Sequence, residues 1–332
     1  MKKKFAYLLV AALSVSLLAG CGSKSSETKK TSKVEIELAE LFENVADATS
    51  DIEDLQLDIK GEADATVKVD GQSLSAKGSV SLTGKAVKEE PAFDLSGAVD
   101  YSVTTSGTTL SGKYSANACG ETEDGELNVY VNVNKGDEKG NWVTDSMDAS
   151  YITDVFDDLE EILEESKDAF NEITEEDWKK VESILKLEDM TKIVNKKECY
   201  VITMEINNDS IMELIRTSED YVDEEEMEDA LQEAEEAFQQ LNLDCRGQIC
   251  YDKDTFLPVQ TKISFTMNGE VDDTEVDIKT LVFEMNMLAN DGVKLSGVPD
   301  NVKEEAEEVD LDLDDYFPES DDETDSYDWE EN

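Results

Sequence analysis

The chain contains no histidine among its 332 residues, and this absence limits the chemistry that its side chains can perform. Ser-His-Asp and Cys-His nucleophiles need an imidazole with a pKa near neutrality, and His-ligated zinc and haem sites need the same side chain. Ser183 and Lys186 have the Ser-x-x-Lys spacing of penicillin-recognising enzymes, but no Ser-Asp-Asn or Lys-Thr-Gly motif accompanies them. Ile184 and Leu185 between them indicate an ordinary amphipathic helix. We therefore expect no enzyme activity, no catalytic residues and no cofactor.

Two patterns of metal or redox chemistry are incomplete. The segment 310–321 begins like a calcium loop, but Asp315 replaces the glycine of position six and Asp321 the glutamate of position twelve. Four cysteines lack the close paired spacing of a thiolate zinc site, and they are Cys119, Cys199, Cys245 and Cys250. We expect no metal site. The cysteines are interpreted as buried free thiols, and a bridge from Cys199 to Cys245 or Cys250 is the alternative.

The charge of the chain excludes one class of partner. Lys and Arg number 29 against 82 Asp and Glu, which gives a formal net charge of -53. Nucleic-acid binding depends on clusters of basic residues that neutralise phosphates. We therefore expect no nucleic-acid partner.

The N-terminus has the features of an export signal. Lys2, Lys3 and Lys4 precede an apolar run at 5–18 that is too short to span a bilayer as a mature helix. The run ends in Leu-Ala-Gly-Cys at 18–21, which resembles the lipobox of bacterial lipoproteins. This resemblance implies a signal peptide at 1–20 and acylation of Cys21, the one site residue that we predict. An ordinary signal peptide with an incidental cysteine is the alternative.

The predicted location follows from this motif. Acyl chains, palmitate among them, would anchor the protein to the extracytoplasmic face of the cell membrane. Residues 21–33 are rich in Ser, Thr and Lys and are predicted to form a flexible tether.

Hydrophobic periodicity predicts an α+β domain at 34–298. A period of two predicts a five-strand antiparallel meander, followed by four further strands; the segments are 62–70, 74–84, 92–104, 108–118, 127–133, 200–206, 243–251, 258–267 and 276–287. A period near 3.6 predicts helices that begin at 34 and occupy 152–170, 178–185 and 223–240. Residues 299–332 are highly acidic and are predicted to be a disordered tail.

The order of these features resembles the LolA/LolB-like superfamily, and within it lipoproteins of the LppX/LprG kind from Gram-positive bacteria. The local signatures are Gly-Asn-Trp-Val at 140–143 and Tyr-Asp-Lys-Asp-Thr-Phe-Leu-Pro at 251–258. The resemblance implies a curved antiparallel sheet, an unclosed half-barrel, whose concave face is covered by helices that sometimes hold a lipid. The acidic segment 223–240 and the acidic tail depart from this pattern.

These observations predict a lipoprotein without catalysis that binds an apolar ligand, such as a lipid or lipopeptide, or an envelope component. The alternative is a structural or protein-interaction lipoprotein with a filled core and no small-molecule ligand. Periodicity does not distinguish a packed apolar face from a vacant one. The residues that would line a pocket or fill a core are Phe93, Leu95, Val129, Val131, Ile202, Met204, Phe283 and Met285.

Overall fold

The computed structural model describes residues 30–48, 52–69, 71–157, 175–210, 240–271 and 274–309. The strands of these residues form one sheet. Their bounds are β1 Lys30–Lys33, β2 Asp54–Val69, β3 Gln72–Val87, β4 Ala92–Thr105, β5 Thr108–Glu123, β6 Glu126–Lys135, β7 Trp142–Asp148, β8 Leu185–Leu187, β9 Met190–Val194, β10 Lys197–Asn207, β11 Leu241–Asp252, β12 Pro258–Val271, β13 Thr274–Ala289 and β14 Glu307–Glu308. The helices are α1 Leu38–Ala48, α2 Glu175–Ile184 and α3 Asp300–Glu305, and residues 150–157 are also helical.

The sheet is open and almost wholly antiparallel. Its order is β1-β9-β10-β11-β12-β13-β2-β3-β4-β5-β6-β7-β14, with β8 beside β10. Only the two-residue strand β14 pairs in parallel, with β7. Tight two-residue turns fix the register of the central hairpins: Asp124 and Gly125 both have positive φ, 55° and 93°, between β5 and β6. An Asp-Gly pair is favoured there because its backbone twist matches that of the flanking strands.

The predicted strands are confirmed. Each of the nine segments with period-two alternation lies within or overlaps one of β2 to β6 or β10 to β13. The predicted meander corresponds to β2 to β6, which pair in sequence order. The helix predicted to begin at 34 is found as α1, which begins at Leu38, and the helix predicted at 178–185 is found as α2, which ends at Ile184 because Leu185 begins β8. The segments 158–170 and 223–239 lie outside the described residues.

The predicted fold class, α+β with helices covering the concave face, is wrong. The protein is mostly β: β2, β3, β5 and β13 have 16 residues each, whereas α1 and α2 have 11 and 10. At the usual rise per residue such strands span about 50 Å and such helices about 16 Å. The described helices are therefore too short to cover the face against which they pack.

The core lies where α1, α2 and residues 150–157 meet one end of the sheet. Leu41, Phe42 and Val45 of α1 pack with Tyr251 and Ile202 in a buried cluster. The ring of Phe42 stacks on Trp178 of α2 at 6.2 Å and meets Tyr251 edge-on at 6.5 Å. A second cluster joins Phe156 to Ile52, Leu257, Met287 and Ala289.

Both ends of the described chain are folded onto the sheet. Lys30–Lys33, which the sequence placed in the tether, pairs with β9 as β1. Residues 299–309, which the sequence placed in the tail, include α3 and β14. Val302 of α3 is buried together with Val298 and Cys119. The signal peptide, Cys21 and the acidic segment 310–332 lie outside the described residues.

All four cysteines after Cys21 are free thiols, and Cys119, Cys199 and Cys250 are buried. Burial raises the pKa of Cys119 to about 11 and that of Cys250 to about 12. Burial likewise raises the pKa of Cys199. At neutral pH these groups are thiols without nucleophilic character.

Candidate ligand-binding face

The two faces of the central sheet differ in chemistry because side chains alternate along each strand. Residues paired across antiparallel strands share a face, and one such row is Phe283, Gly61, Val80, Val99 and Tyr114. We call the face of this row the apolar face. On the four strands β2 to β5 it comprises the odd positions 55–69, the even positions 74–86, the odd positions 93–103 and the even positions 110–120.

None of these positions on β2 to β5 holds a charged residue. They are occupied by Val, Leu, Ile, Ala, Gly, Phe and Tyr, whereas one third of the whole chain is charged. The intervening positions form a polar face that consists mostly of Ser, Thr, Lys, Asp and Glu. The polar face of these strands is therefore well solvated, whereas contact of the apolar face with water is unfavourable.

A large part of the apolar face is exposed. The described residues include eleven large hydrophobic side chains classed as exposed, and nine of them lie on this face. The nine are Val69, Leu74, Val80, Leu95, Val99, Leu110, Tyr114, Val133 and Leu281. Their exposed fractions range from 37% for Tyr114 to 65% for Leu110. Contiguous apolar exposure of this kind marks ligand, partner or membrane contacts.

The exposed part begins where the helices end. Leu55, Leu57, Met287 and Ala289 lie at the end of the sheet covered by Phe156 and its neighbours. Farther along β2 and its partners, towards the β2–β3 and β4–β5 hairpins, the exposed side chains follow one another. We call this region, formed by the nine exposed residues above, the open apolar patch.

Two tyrosines are the aromatic polar groups of the patch region. The rings of Tyr101 and Tyr114 stack with centroids 6.3 Å apart and an angle of 1° between their planes. Tyr114 beside it, with a smaller effect of burial, raises the pKa of Tyr101 above its ordinary value. The Tyr101 hydroxyl therefore stays neutral at physiological pH and can donate a hydrogen bond to a polar group at the border of an apolar ligand.

The polar face contains a shallow depression of about 440 Å³ over β2 to β5. Its lining includes Lys60, Glu62, Ser79, Asp100 and Lys113. Lys113 Nζ lies 2.5 Å from Asp100 Oδ2, and both side chains are well exposed. Exposed pairs of this kind contribute little to stability and indicate a solvated surface.

The eight residues predicted to line a pocket or fill a core all lie on the apolar face. Ile202, Met285 and Val129 are buried, whereas Leu95 is 40% exposed. The face is thus a filled core under the helices and an uncovered surface beyond them. The sequence did not reveal this division, although the exposed residues have the same alternation as the buried ones.

Other predicted sites receive no support from the described geometry. Cys21 lies outside the described residues. Within the described ranges, no three His, Cys, Asp or Glu side chains lie close enough to hold a metal ion. None of the helices in the described part of the chain has the length and apolar character that a membrane crossing requires.

The described part of the chain forms an open antiparallel sheet with one apolar face that is partly exposed. The chain belongs to the family of unknown function DUF6612, whose model matches residues 37–307. That match includes α3 and the first residue of β14. No curated protein matches the chain.

Three solved structures match the chain at low sequence identity and with low TM-scores. A β-barrel-like protein of the domain family DUF1849 from Brucella abortus is 7% identical, with a TM-score of 0.21, over 71% of this chain and 98% of that chain. The translocator domain of the autotransporter NalP from Neisseria meningitidis is 7% identical, with a TM-score of 0.19, over 75% and 92%. A DUF1329 family protein from Desulfovibrio piger is 10% identical, with a TM-score of 0.17, over 78% and 96%.

Proposed function

We propose that this protein is a membrane-anchored extracytoplasmic lipoprotein that binds an apolar ligand, a lipid or lipopeptide, on the open apolar patch and has no catalytic activity. The observation that supports this function is the exposure of nine large hydrophobic side chains on one face of the sheet. Removing apolar surface from water contributes about 25 cal/mol per Å², so an acyl chain laid on this face would be held without any polar contact.

The charge of the chain favours a small apolar ligand over a second copy of the protein. Two chains, each with a formal charge of -53, would repel each other if their sheets approached face to face. A neutral hydrocarbon chain meets no such barrier, because β2 to β5 present no charged residue on the apolar face. The described charges thus oppose self-association of the patch and leave lipid binding unopposed.

The N-terminal sequence supports the proposed location. The lipobox-like Leu-Ala-Gly-Cys at 18–21 would place an acylated Cys21 in the membrane, where lipids are abundant. The resemblance to LolA-like lipoproteins also accords with an open antiparallel sheet that presents an apolar face. An envelope protein that covers the patch is the second candidate partner.

The proposed ligand site can be tested with paired variants. Val80→Asp with Leu95→Asp places two carboxylates on exposed positions of the apolar face, and Ser81→Asp with Ser96→Asp places the same charge on the adjacent polar face. Native mass spectrometry of protein expressed with Cys21→Ser would detect bound lipid, and a fluorescent fatty acid would report affinity.

We expect bound lipid in the parent protein and in the polar-face variant, and at least a tenfold weaker affinity in the apolar-face variant. Both variants should melt close to the parent because all four sites are exposed. A parent protein that neither carries nor accepts lipid would contradict the carrier function and favour the structural or protein-interaction role. Equal loss of affinity in both variants would show that charge alone, and not the patch, controls binding.

A further inference from the structure

The first strand joins the start of the folded chain to one edge of the sheet. β1 pairs with β9, with Lys30 opposite Lys192 and Lys33 opposite Met190. The backbone N–H of Ser32 donates to Thr191 Oγ1 at 3.0 Å. Thr191 Oγ1 in turn donates to Glu198 Oε1 at 2.7 Å. This edge is therefore the place where the folded body meets the segment that leads to Cys21.

A lysine of the β11–β12 turn closes the same network. Lys253 Nζ donates to Ser32 Oγ at 3.0 Å and lies 3.3 Å from Glu198 Oε1. Thr191 is completely buried. These connected, partly buried hydrogen bonds hold β1 more firmly than its few backbone pairs with β9 would alone.

The docking of β1 limits the distance between the body and the anchor. Nine peptide units separate Cys21 from Lys30. A fully extended chain of that length spans about 30 Å. Because β1 is part of the sheet, the tether is shorter than the sequence predicted, and the β1–β9 edge is the part of the body nearest to an acylated Cys21.

The same edge differs in charge from the rest of the chain. Lys33 at the end of β1 and Lys196 in the turn between β9 and β10 are exposed, and neither forms an ion pair with another described residue. Several acids nearby are paired: Glu188 with Lys192, Glu198 with Lys253, and Asp252 with Lys197.

The sequence adds to this contrast. Residues 24–33 contain four lysines and one glutamate, whereas the whole chain has a formal charge of -53. Two acids, Glu35 and Asp189, lie close to Lys33 at the C-terminal end of β1, where Lys33 pairs with Met190 and the N–H of Val34 bonds to the carbonyl of Asp189. The β1–β9 edge is thus far less acidic than the chain as a whole.

We infer that the β1–β9 edge, through Lys33 and Lys196, is the surface that faces the membrane and contacts anionic lipid headgroups. The inference rests on the proposed membrane anchor and adds an orientation to it. An anionic bilayer attracts lysines within about 10 Å and repels the acidic remainder of the body, so attraction and repulsion favour the same orientation.

This orientation has a consequence for the open apolar patch. Lys30 of β1 lies in one row with Lys192, Cys199 and Asp252, and Asp252 is the last residue of β11. β1 therefore lies at the end of the sheet where β11 turns into β12. β12 runs from Pro258 at that end through 14 residues to Val271, a distance of about 45 Å. The hairpins that border the patch lie at the far end of the sheet and would be presented away from the membrane.

Amine footprinting of the acylated full-length protein tests the orientation. The protein would be reconstituted in vesicles of pure phosphatidylcholine and in vesicles with 30% phosphatidylglycerol, and treated with an acetylating reagent. Mass spectrometry would compare the acetylation rates of Lys33 and Lys196 with those of Lys135 and Lys139. The latter two are matched controls because they are exposed at the other side of the sheet, Lys135 at the end of β6 and Lys139 on the β6–β7 connection.

We expect Lys33 and Lys196 to react about two-fold or more slowly on anionic vesicles than on neutral ones, and the control lysines to be unchanged. Added 0.5 M salt should remove the protection, because screening shortens the reach of the headgroup charge. If the protein floats with the vesicles but Lys33 and Lys196 react equally fast on anionic and on neutral vesicles, the orientation alone is overturned. Protein that does not float would instead show that the proposed anchor is absent.

Discussion

The ring of Phe93 on β4 lies over Gly120, its cross-strand partner on β5. A Cβ built on Gly120 would lie 2.9 Å from ring Cδ1 and closer still to Cε1. Gly120 is buried because the aromatic ring occupies the space above it. Such pairs compensate for the missing side chain of a strand glycine. They also explain how a face so rich in Gly and Ala maintains a packed layer near the helices.

Gly120→Ala should therefore destabilise the protein by about 1–3 kcal/mol, since the added methyl forces Phe93 from its position. Gly84→Ala is the matched control. Its Cβ would lie 3.3 Å from Leu95 Cδ1, the end of a flexible and partly exposed side chain. Urea unfolding of both variants compares the two free energies of unfolding. Equal stability of Gly120→Ala and Gly84→Ala would show that the Phe93 ring moves aside freely.

Two equally buried threonines differ in their hydrogen bonds. Thr261 and Thr191 are both fully buried, but Thr261 Oγ1 has no hydrogen-bond partner among the described residues, whereas Thr191 Oγ1 bonds to Glu198 and Ser32. Thr191→Val should cost about 1–3 kcal/mol because it removes hydrogen bonds to the partly buried Ser32 and Glu198. Thr261→Val should be neutral or stabilising, because it removes a hydroxyl that gains nothing in the fold. Thermal unfolding of both variants measures the contrast, and a large loss in Thr261→Val would reveal a partner for its hydroxyl.

The sequence predicted the central strands well because each of them alternates over many residues. On β4, Phe93, Leu95, Val99, Tyr101 and Val103 mark one face, and the structure places all of them there. Burial of that face was not predictable, since Leu95 and Val99 are exposed while Phe93 lies near the core. Periodicity shows which side chains share a face, and the length and position of the covering helices decide whether that face is filled.

The short terminal strands escaped prediction for a different reason. β1 reads Lys-Thr-Ser-Lys and β14 reads Glu-Glu, and neither has an apolar residue that could mark a face. They are held by backbone pairing and by polar partners distant in sequence, such as Thr191 for Ser32. A residue-by-residue pattern contains no information about such partners. Residues 30–33 and 307–308 were consequently predicted to lie in the tether and the tail instead of in the sheet.

Cys21→Ser should release the protein from the membrane. The lipobox-like sequence at 18–21 predicts that the acyl chains are attached to this residue, and no described helix offers another means of insertion. Fractionation of cells that express each form would show the parent with the membranes and the variant in the soluble fraction. Cys245→Ser, at a partly exposed position in the folded domain, is the control that should remain with the membranes. An unchanged distribution of Cys21→Ser would contradict the anchor.

The C-terminal segment should detach in acid before the sheet unfolds. Burial alone would raise the pKa of Glu121, but hydrogen bonds from Lys303 and from the N–H of Val298 outweigh it, and the pKa is lowered. Because the pKa of Glu121 is lower in the folded than in the unfolded state, the carboxylate stabilises the fold at pH values above the unfolded-state pKa near 4.5. This stabilisation is lost as the pH falls through the folded-state pKa. The contribution is less than about 1 kcal/mol because Glu121 and Lys303 are partly exposed.

Hydrogen exchange of residues 298–309 in the parent and in Glu121→Gln would measure this contribution. At pH 7 the variant should exchange faster in α3 and β14, and the difference between the two proteins should disappear as the pH falls through the lowered folded-state pKa of Glu121, because the carboxylate is then protonated. Labelling of Cys119 provides an independent signal, since Val298 and Val302 bury this thiol. In the Cys21→Ser protein, removal of 297–332 should speed the reaction of Cys119 with a thiol reagent, whereas removal of 310–332 should leave α3 and Cys119 undisturbed. Equal labelling rates after both truncations would show that the segment does not protect the thiol.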